Sequence, residues 1–232
     1  VGGHRGGATA FTFEITDKVR FGSDNALLVV VSNNCRDDML PTSTDMNLYG
    51  GIYREAELII TEKTAVSPLY LGSEGVLVRQ NSVGSDRVEG EAEIHLISAG
   101  ENNCVLTLDI TAPDGQRVFT RRQKIRLDGK PVVMPFTIDH PQLWSPASPA
   151  LYRVTASIGD DRVTDSVTVR TGFRSIHATT ADGFTINGER LPVHGVTVYH
   201  DNAISGGAFI AQDYDSDLRQ IHDLGANALR SA

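Results

Sequence analysis

Pro141-Gln142-Leu143-Trp144-Ser145-Pro146-Ala147-Ser148-Pro149-Ala150-Leu151-Tyr152 is the stretch whose reading decides the fold. It holds the only tryptophan of the chain and three of its nine prolines. Each proline fixes its own φ, and Pro146 and Pro149 bias the serines before them towards extended backbone. The segment therefore reads as a stiff, non-helical arm. A strand comes directly after it, with Tyr152, Val154, Ala156 and Ile158 alternating with Arg153, Thr155 and Ser157. Further on comes Gly172-Phe173-Arg174, and there the pattern changes. The residues before this junction read as β-sandwich; those after it read as strand alternating with helix.

Outward from the arm on its N-terminal side, residues 63–172 carry short alternating strands. Val88, Ala92, Ile94 and Leu96 alternate with glutamates and His95; Cys104, Leu106, Leu108 and Ile110 form a second row; Val132, Met134, Phe136 and Ile138 a third. Pro113-Asp114-Gly115 and Gly159-Asp160-Asp161 supply turns. Short strands at this spacing predict an immunoglobulin-like β-sandwich. On the C-terminal side, residues 173–232 open with Phe184 and Ile186 leading into Asn187-Gly188, a two-residue hairpin signal. Val193 to Tyr199 reads as a buried strand. Asp213-Tyr214-Asp215-Ser216-Asp217 then starts a helix, its acids suited to the helix dipole. Leu218, Ile221 and Leu224 give an apolar face, Gly225 stands at the C-cap, and Ala226 to Leu229 begins another strand. This is the first strand-helix-strand unit of an α/β barrel, and 60 residues after Gly172 are far too few for the roughly 250 a (β/α)8 barrel needs. Residues 1–62 contribute three further expected strands, at Phe11–Ile15, Ala26–Val31 and Ile52–Ile60, around a long polar loop from Asn33 to Gly51. The expected fold is thus mostly β: a partial jelly-roll sandwich, an immunoglobulin-like sandwich and an incomplete barrel.

Composition narrows the function classes. The formal charge of −8 disfavours a nucleic-acid partner, since phosphate binding needs a basic face. No apolar run reaches the 18 or so residues of a membrane-spanning helix. The seven histidines show no metal-ligand spacing, and Gly2-Gly3 and Gly6-Gly7 are not followed by the lysine of a phosphate loop, so no cofactor is expected and metal dependence is left open. Asp213-x-Asp-x-Asp has Leu218 and Leu224 where a calcium loop needs glycine and glutamate. Cys35 and Cys104 read as two thiols rather than a disulfide.

At several of these stretches the chain resembles glycoside hydrolase family 2, the family of β-galactosidases, β-glucuronidases and β-mannosidases. The resemblance rests on the Leu-Trp-Ser-Pro…Pro-x-Leu-Tyr run, the Gly-Phe-Arg junction, Val1-Gly-Gly-His with Tyr49-Gly50-Gly51-Ile52-Tyr53-Arg54, and two later motifs. These are Gly195-Val196-Thr197-Val198-Tyr199-His200-Asp201, where Thr197 and Asp201 depart from the usual Asn and Glu, and Gly225-Ala226-Asn227-Ala228-Leu229-Arg230. It implies a sugar-binding jelly-roll over 1–62, the immunoglobulin-like sandwich over 63–172 and the barrel start over 173–232, cut at both ends from a longer enzyme.

Functional residues of an α/β barrel sit at the C-terminal ends of its strands, which selects His200, Asp201 and Arg230. The resemblance implies that His200 lines the sugar subsite and that Arg230 lies beside the nucleophile. It adds Asp45, in Thr44-Asp45-Met46-Asn47, as a carboxylate reaching towards sugar hydroxyls. The plainer alternatives are a strand-end histidine satisfied by a neighbour, a surface arginine pair and a solvated loop acid. The glutamates that such enzymes use are taken from later barrel strands, so this chain is expected to supply binding residues but no catalytic ones. The expected partner is a carbohydrate, most of all a β-galactoside, with homo-oligomerisation as a further option. The rival is a non-catalytic carbohydrate-binding or adhesion β-sandwich, which one tryptophan and 6% aromatics ill suit.

Overall fold

The computed structural model describes residues 1–34, 36–39, 49–100, 103–199 and 201–231, so the expectations at Cys35, Asp45 and His200 lie outside the described residues. Among the described residues the chain is mostly β, with several antiparallel sheets, one parallel pair and one helix. It divides into two compact units. One comprises Ala10–Thr12 and Ile59–Leu191; the other comprises Val1–Thr9, Phe13–Leu58 and Pro192–Ala232.

The first unit runs through β1 (Thr64–Val66), β2 (Val76–Val83), β3 (Arg87–Ile94), β4 (Leu96–Ser98), β5 (Asn103–Thr111), β6 (Arg117–Arg126), β7 (Val132–Asp139), β8 (Tyr152–Ile158) and β9 (Asp165–Thr171), then a small sheet of β10 (Ile176–Thr179), β11 (Gly183–Ile186) and β12 (Glu189–Arg190). Two sheets make the sandwich, ordered β2-β3-β7 and β6-β5-β8-β9. Successive side chains on a strand point to opposite faces, so alternation fixes which face is buried. Val88, Ala92 and Ile94 of β3 and Met134, Phe136 and Ile138 of β7 turn inward from one sheet. Leu106, Leu108 and Ile110 of β5 meet them from the other, with Tyr152, Val154, Ala156 and Ile158 of β8. Together they form one apolar cluster, the core of an immunoglobulin-like sandwich. Gly90 fits this core because a Cβ there would stand 2.5 Å from the Phe136 ring. The β6 sequence hides its strand: it carries arginines and a lysine on an edge, and its burial alternates poorly.

The proline-rich arm is not a strand; it is bound to the sandwich by its backbone. Trp144 N–H donates to the Phe173 carbonyl at 2.8 Å, and Gln142 N–H donates to the Tyr152 hydroxyl at 2.8 Å. The Trp144 carbonyl accepts from the Asn187 side chain at 3.0 Å. Gly172 lies under the indole: a Cβ there would come within 2.8 Å of the ring. The next residue, Phe173, is fully buried, its ring centroid 4.8 Å from Tyr152 and 5.9 Å from Phe136. Arg174 then lays its guanidinium over the indole at 4.8 Å. The Gly-Phe-Arg junction thus places three consecutive residues under, inside and over one packed cluster. Asn187 and Gly188 both take positive φ, as a two-residue turn between β11 and β12 requires.

In the second unit, β13 (Gly195–Val198) and β14 (Ala228–Ser231) pair in parallel, joined through α1 (Ala211–Asp223). A parallel pair needs a crossover, and the helix supplies it. Asp213 accepts the Ile210 backbone N–H at 3.0 Å, closing the helix start, and Gly225 takes φ +79 just past the end. Two expectations are corrected. The strand around Val193 to Tyr199 forms but is not buried: Val193 and Tyr199 are more than half exposed, since two strands and one helix leave much of the pair uncovered among the described residues. The strands expected at Phe11–Ile15, Ala26–Val31 and Ile52–Ile60 are not formed. A run of β-forming residues becomes a strand only when a neighbouring segment pairs with it, and among the described residues no strand pairs with these runs; Leu28 and Val30 are almost fully exposed.

Replacing Phe173 by alanine should destabilise the sandwich unit by about 3–5 kcal/mol, the cost of emptying a closed aromatic site. Gly172→Ala should cost about 1–3 kcal/mol by forcing the indole aside. Denaturant titration monitored by tryptophan fluorescence measures both. In the same unit, the hydrogen bond from His95 beside Glu93, helped by Arg79, holds the Glu93 carboxyl below its ordinary value. The resulting stabilisation should be complete above the ordinary glutamate value and vanish as pH falls through the depressed one, and Glu93→Gln should flatten that part of the stability–pH curve.

Candidate functional site

The C-terminal ends of β13 and β14 point the same way because the strands are parallel. Asp201 lies three residues beyond β13, and Arg230 stands in β14 opposite Thr197. The structure therefore brings two of the four expected site residues to one end of one parallel pair. His200 and Asp45 fall outside the described residues.

The loop after β13 is built by one side chain that the sequence did not single out. Asn202 Oδ1 accepts the backbone N–H groups of Ile204 at 2.8 Å and Ser205 at 3.3 Å, curling the chain over its own side chain. The Asn202 and Gly206 backbones exchange hydrogen bonds of 3.0 and 2.8 Å across the loop. Asn202 Nδ2 then donates to Asp213 Oδ1 at 2.9 Å, and the other oxygen of Asp213 caps the helix. Loop and helix start are one hydrogen-bonded assembly. Asn227 does similar work before β13: it accepts from His194 N–H and donates to the Pro192 carbonyl, both at 2.8 Å.

Against this loop lies the Tyr49-Gly50-Gly51-Ile52-Tyr53-Arg54 segment. The Tyr49 hydroxyl donates to Asp201 Oδ1 at 2.5 Å, in the range of a charge-assisted O–H···O bond. Its ring fills the space beside Gly206 and Gly207, where added Cβ atoms would come within 2.7 and 2.8 Å of ring carbons. Gly206 also has φ +57. Tyr53 meets Tyr49 edge to face at 6.3 Å, and Arg54, lying over the Tyr53 ring at 5.1 Å, donates to the Gly207 carbonyl. This segment, expected as a strand, forms none and instead holds the loop after β13 through Tyr49 and Arg54. Chemically, this end of the pair offers a carboxylate held by a phenol, a guanidinium and a backbone-rich loop. These groups can accept and donate hydrogen bonds to a polyhydroxylated ligand. Among the described residues no group of three His, Cys, Asp or Glu side chains converges on a metal position.

Comparison with known proteins adds to this geometry. Residues 76–174, most of the sandwich, match the model of glycosyl hydrolases family 2. The chain is 36% identical over its whole length to a β-glucuronidase of Bacteroides fragilis and 30% identical over its whole length to a β-galactosidase of Thermoanaerobacter pseudethanolicus. It covers 34% and 31% of those proteins, so it spans about a third of the length of the curated relatives it matches. In the crystal structure of a β-glucuronidase of Bacteroides uniformis, 25% identical, the match covers 95% of this chain and 27% of that one with a TM-score of 0.78.

If Asn202 unites the loop and the helix start, Asn202→Ala should lower stability by about 1–2 kcal/mol, the net value of its hydrogen bonds. The unfolding midpoint in urea measures this, and an unchanged midpoint at constant slope would show that the loop holds itself.

Proposed function

The chain carries a domain of glycosyl hydrolases family 2, and from that premise we propose that the protein it belongs to is a retaining glycoside hydrolase acting on terminal β-linked sugars. The observation that carries this is the coincidence of that domain with a parallel strand-helix-strand unit whose strand ends bear Asp201 and Arg230. In a barrel this end is where substrate is bound. In this reading residues 1–62 belong to a sugar-binding domain, 63–172 to the immunoglobulin-like sandwich and 173–232 to the start of the catalytic barrel.

His200, Asp201, Arg230 and Asp45 serve substrate binding: the carboxylates accept from sugar hydroxyls, while His200 and Arg230 donate. Hydrolysis with retention needs two carboxyl groups about 5–5.5 Å apart, one as acid/base and one as nucleophile. Among the described residues no glutamate stands at the C-terminal end of β13 or β14, so these two groups come from another part of the enzyme. The chain supplies a wall of the pocket and not its reacting atoms. A β-galactoside is the substrate expected from the sequence motifs. The whole-length relative at 36% identity, a β-glucuronidase, supports a β-glucuronide as the second reading.

The test is the complete enzyme offered aryl β-galactoside and aryl β-glucuronide side by side, with the anomeric form of the first product monitored by NMR. Hydrolysis of one of the two with retention is expected, and the ratio of kcat/KM values decides between the sugars. Hydrolysis of neither would refute the reading. His200→Ala should lower kcat/KM at least tenfold with the melting temperature kept; unchanged kinetics would remove His200 from the pocket.

A further inference from the structure

The geometry points to Tyr49 and Arg54 as positioning residues of the pocket wall, with Tyr49 acting through Asp201 rather than by touching substrate. The inference rests on the glycosidase reading for its kinetic part and on the structure alone for its mechanical part. Three contacts converge on the seven residues from Asp201 to Gly207. Tyr49 donates to the Asp201 carboxylate at the start of the loop. Arg54 donates to the Gly207 carbonyl at its end. The Tyr49 ring fills the space beside Gly206 and Gly207 and allows no side chain there. Loops between elements are the more mobile parts of a fold. This one is gripped at both ends by a segment about 150 residues distant in sequence, and inside by Asn202. Such a grip has a consequence for binding: groups at the end of β13 are held in place before substrate arrives, so less ordering is required when it binds. It also changes the reading of Asp201. A carboxylate already holding a phenol at 2.5 Å is oriented by that phenol. Its contribution to the pocket then depends on a residue outside the barrel.

The experiment uses the complete enzyme in five forms: wild type, Tyr49→Phe, Asp201→Asn, the double variant, and Gly207→Ala as an independent way of displacing the Tyr49 ring. Two readouts are taken on each. Hydrogen–deuterium exchange over residues 201–208 needs no activity; Tyr49→Phe and Gly207→Ala should each speed exchange there at least tenfold while the β5 and β8 amides stay unchanged. Steady-state kinetics should show KM raised three- to tenfold for Tyr49→Phe, kcat within twofold, and no further loss in the double variant beyond that of Asp201→Asn. Additive losses would show that Tyr49 does not work through Asp201. Wild-type exchange in Tyr49→Phe would overturn the grip itself. An inactive wild-type enzyme with faster loop exchange in the variants would refute the glycosidase reading and keep the grip.

Discussion

Phe173 is the side chain on which the sandwich unit depends. It is fully buried, packs its ring against Tyr152 from β8 and Phe136 from β7, and so touches both sheets. Burying a phenylalanine contributes about 1.5–3 kcal/mol from the area removed from water, and aromatic pairs add to it. Its backbone carbonyl meanwhile accepts Trp144 N–H, which fixes the arm. One residue therefore couples the core to the segment that leads out of it. Gly172 before it must be small because the indole lies against it, and Arg174 after it closes the indole's other contact. The order Gly-Phe-Arg is a steric requirement at this point, not a compositional accident.

The same constraint explains which elements could be read in the sequence. The β3, β5, β7 and β8 rows were legible because each lays every second residue into one core, so hydrophobicity and burial share a period of two. The hairpin at Asn187-Gly188 and the helix end at Gly225 were legible because each needs positive φ, which glycine and asparagine reveal. Edge strand β6 was not, because an edge exposed to water tolerates arginine and lysine and loses its alternation. The run Ala26–Val31 misled for the opposite reason. Its composition suits a doubly buried strand, but pairing is a property of two segments, and composition reports on one.

Of the candidate site, the placement of two residues at strand ends was legible. The rule that barrel chemistry gathers at strand ends selected Asp201 and Arg230, and the parallel register does bring them to one end. The supports were not legible. Asn202 acts through its own loop's backbone and a helix cap, Asn227 through the His194 N–H and the Pro192 carbonyl, and Tyr49 through a residue far away in sequence. No local spacing announces such links. Tyr49 and Asn227 stand in motifs that the sequence did show, but those motifs do not show their partners, and Gly206-Gly207 is a pair of glycines whose missing side chains make room for an aromatic ring that only coordinates can identify.

A chain that spans about a third of its relatives' length can thus carry a packed sandwich core and a hydrogen-bonded strand-end loop. The Phe173 contacts are what tie the proline-rich arm to the sandwich core. Native-state hydrogen exchange of the Trp144 amide tests that coupling most directly. Its opening free energy should equal that of the Leu108 and Val154 amides in the core, because releasing Trp144 requires Phe173 to leave its site. Exchange of Trp144 through a local opening, at a free energy well below theirs and insensitive to denaturant, would contradict it.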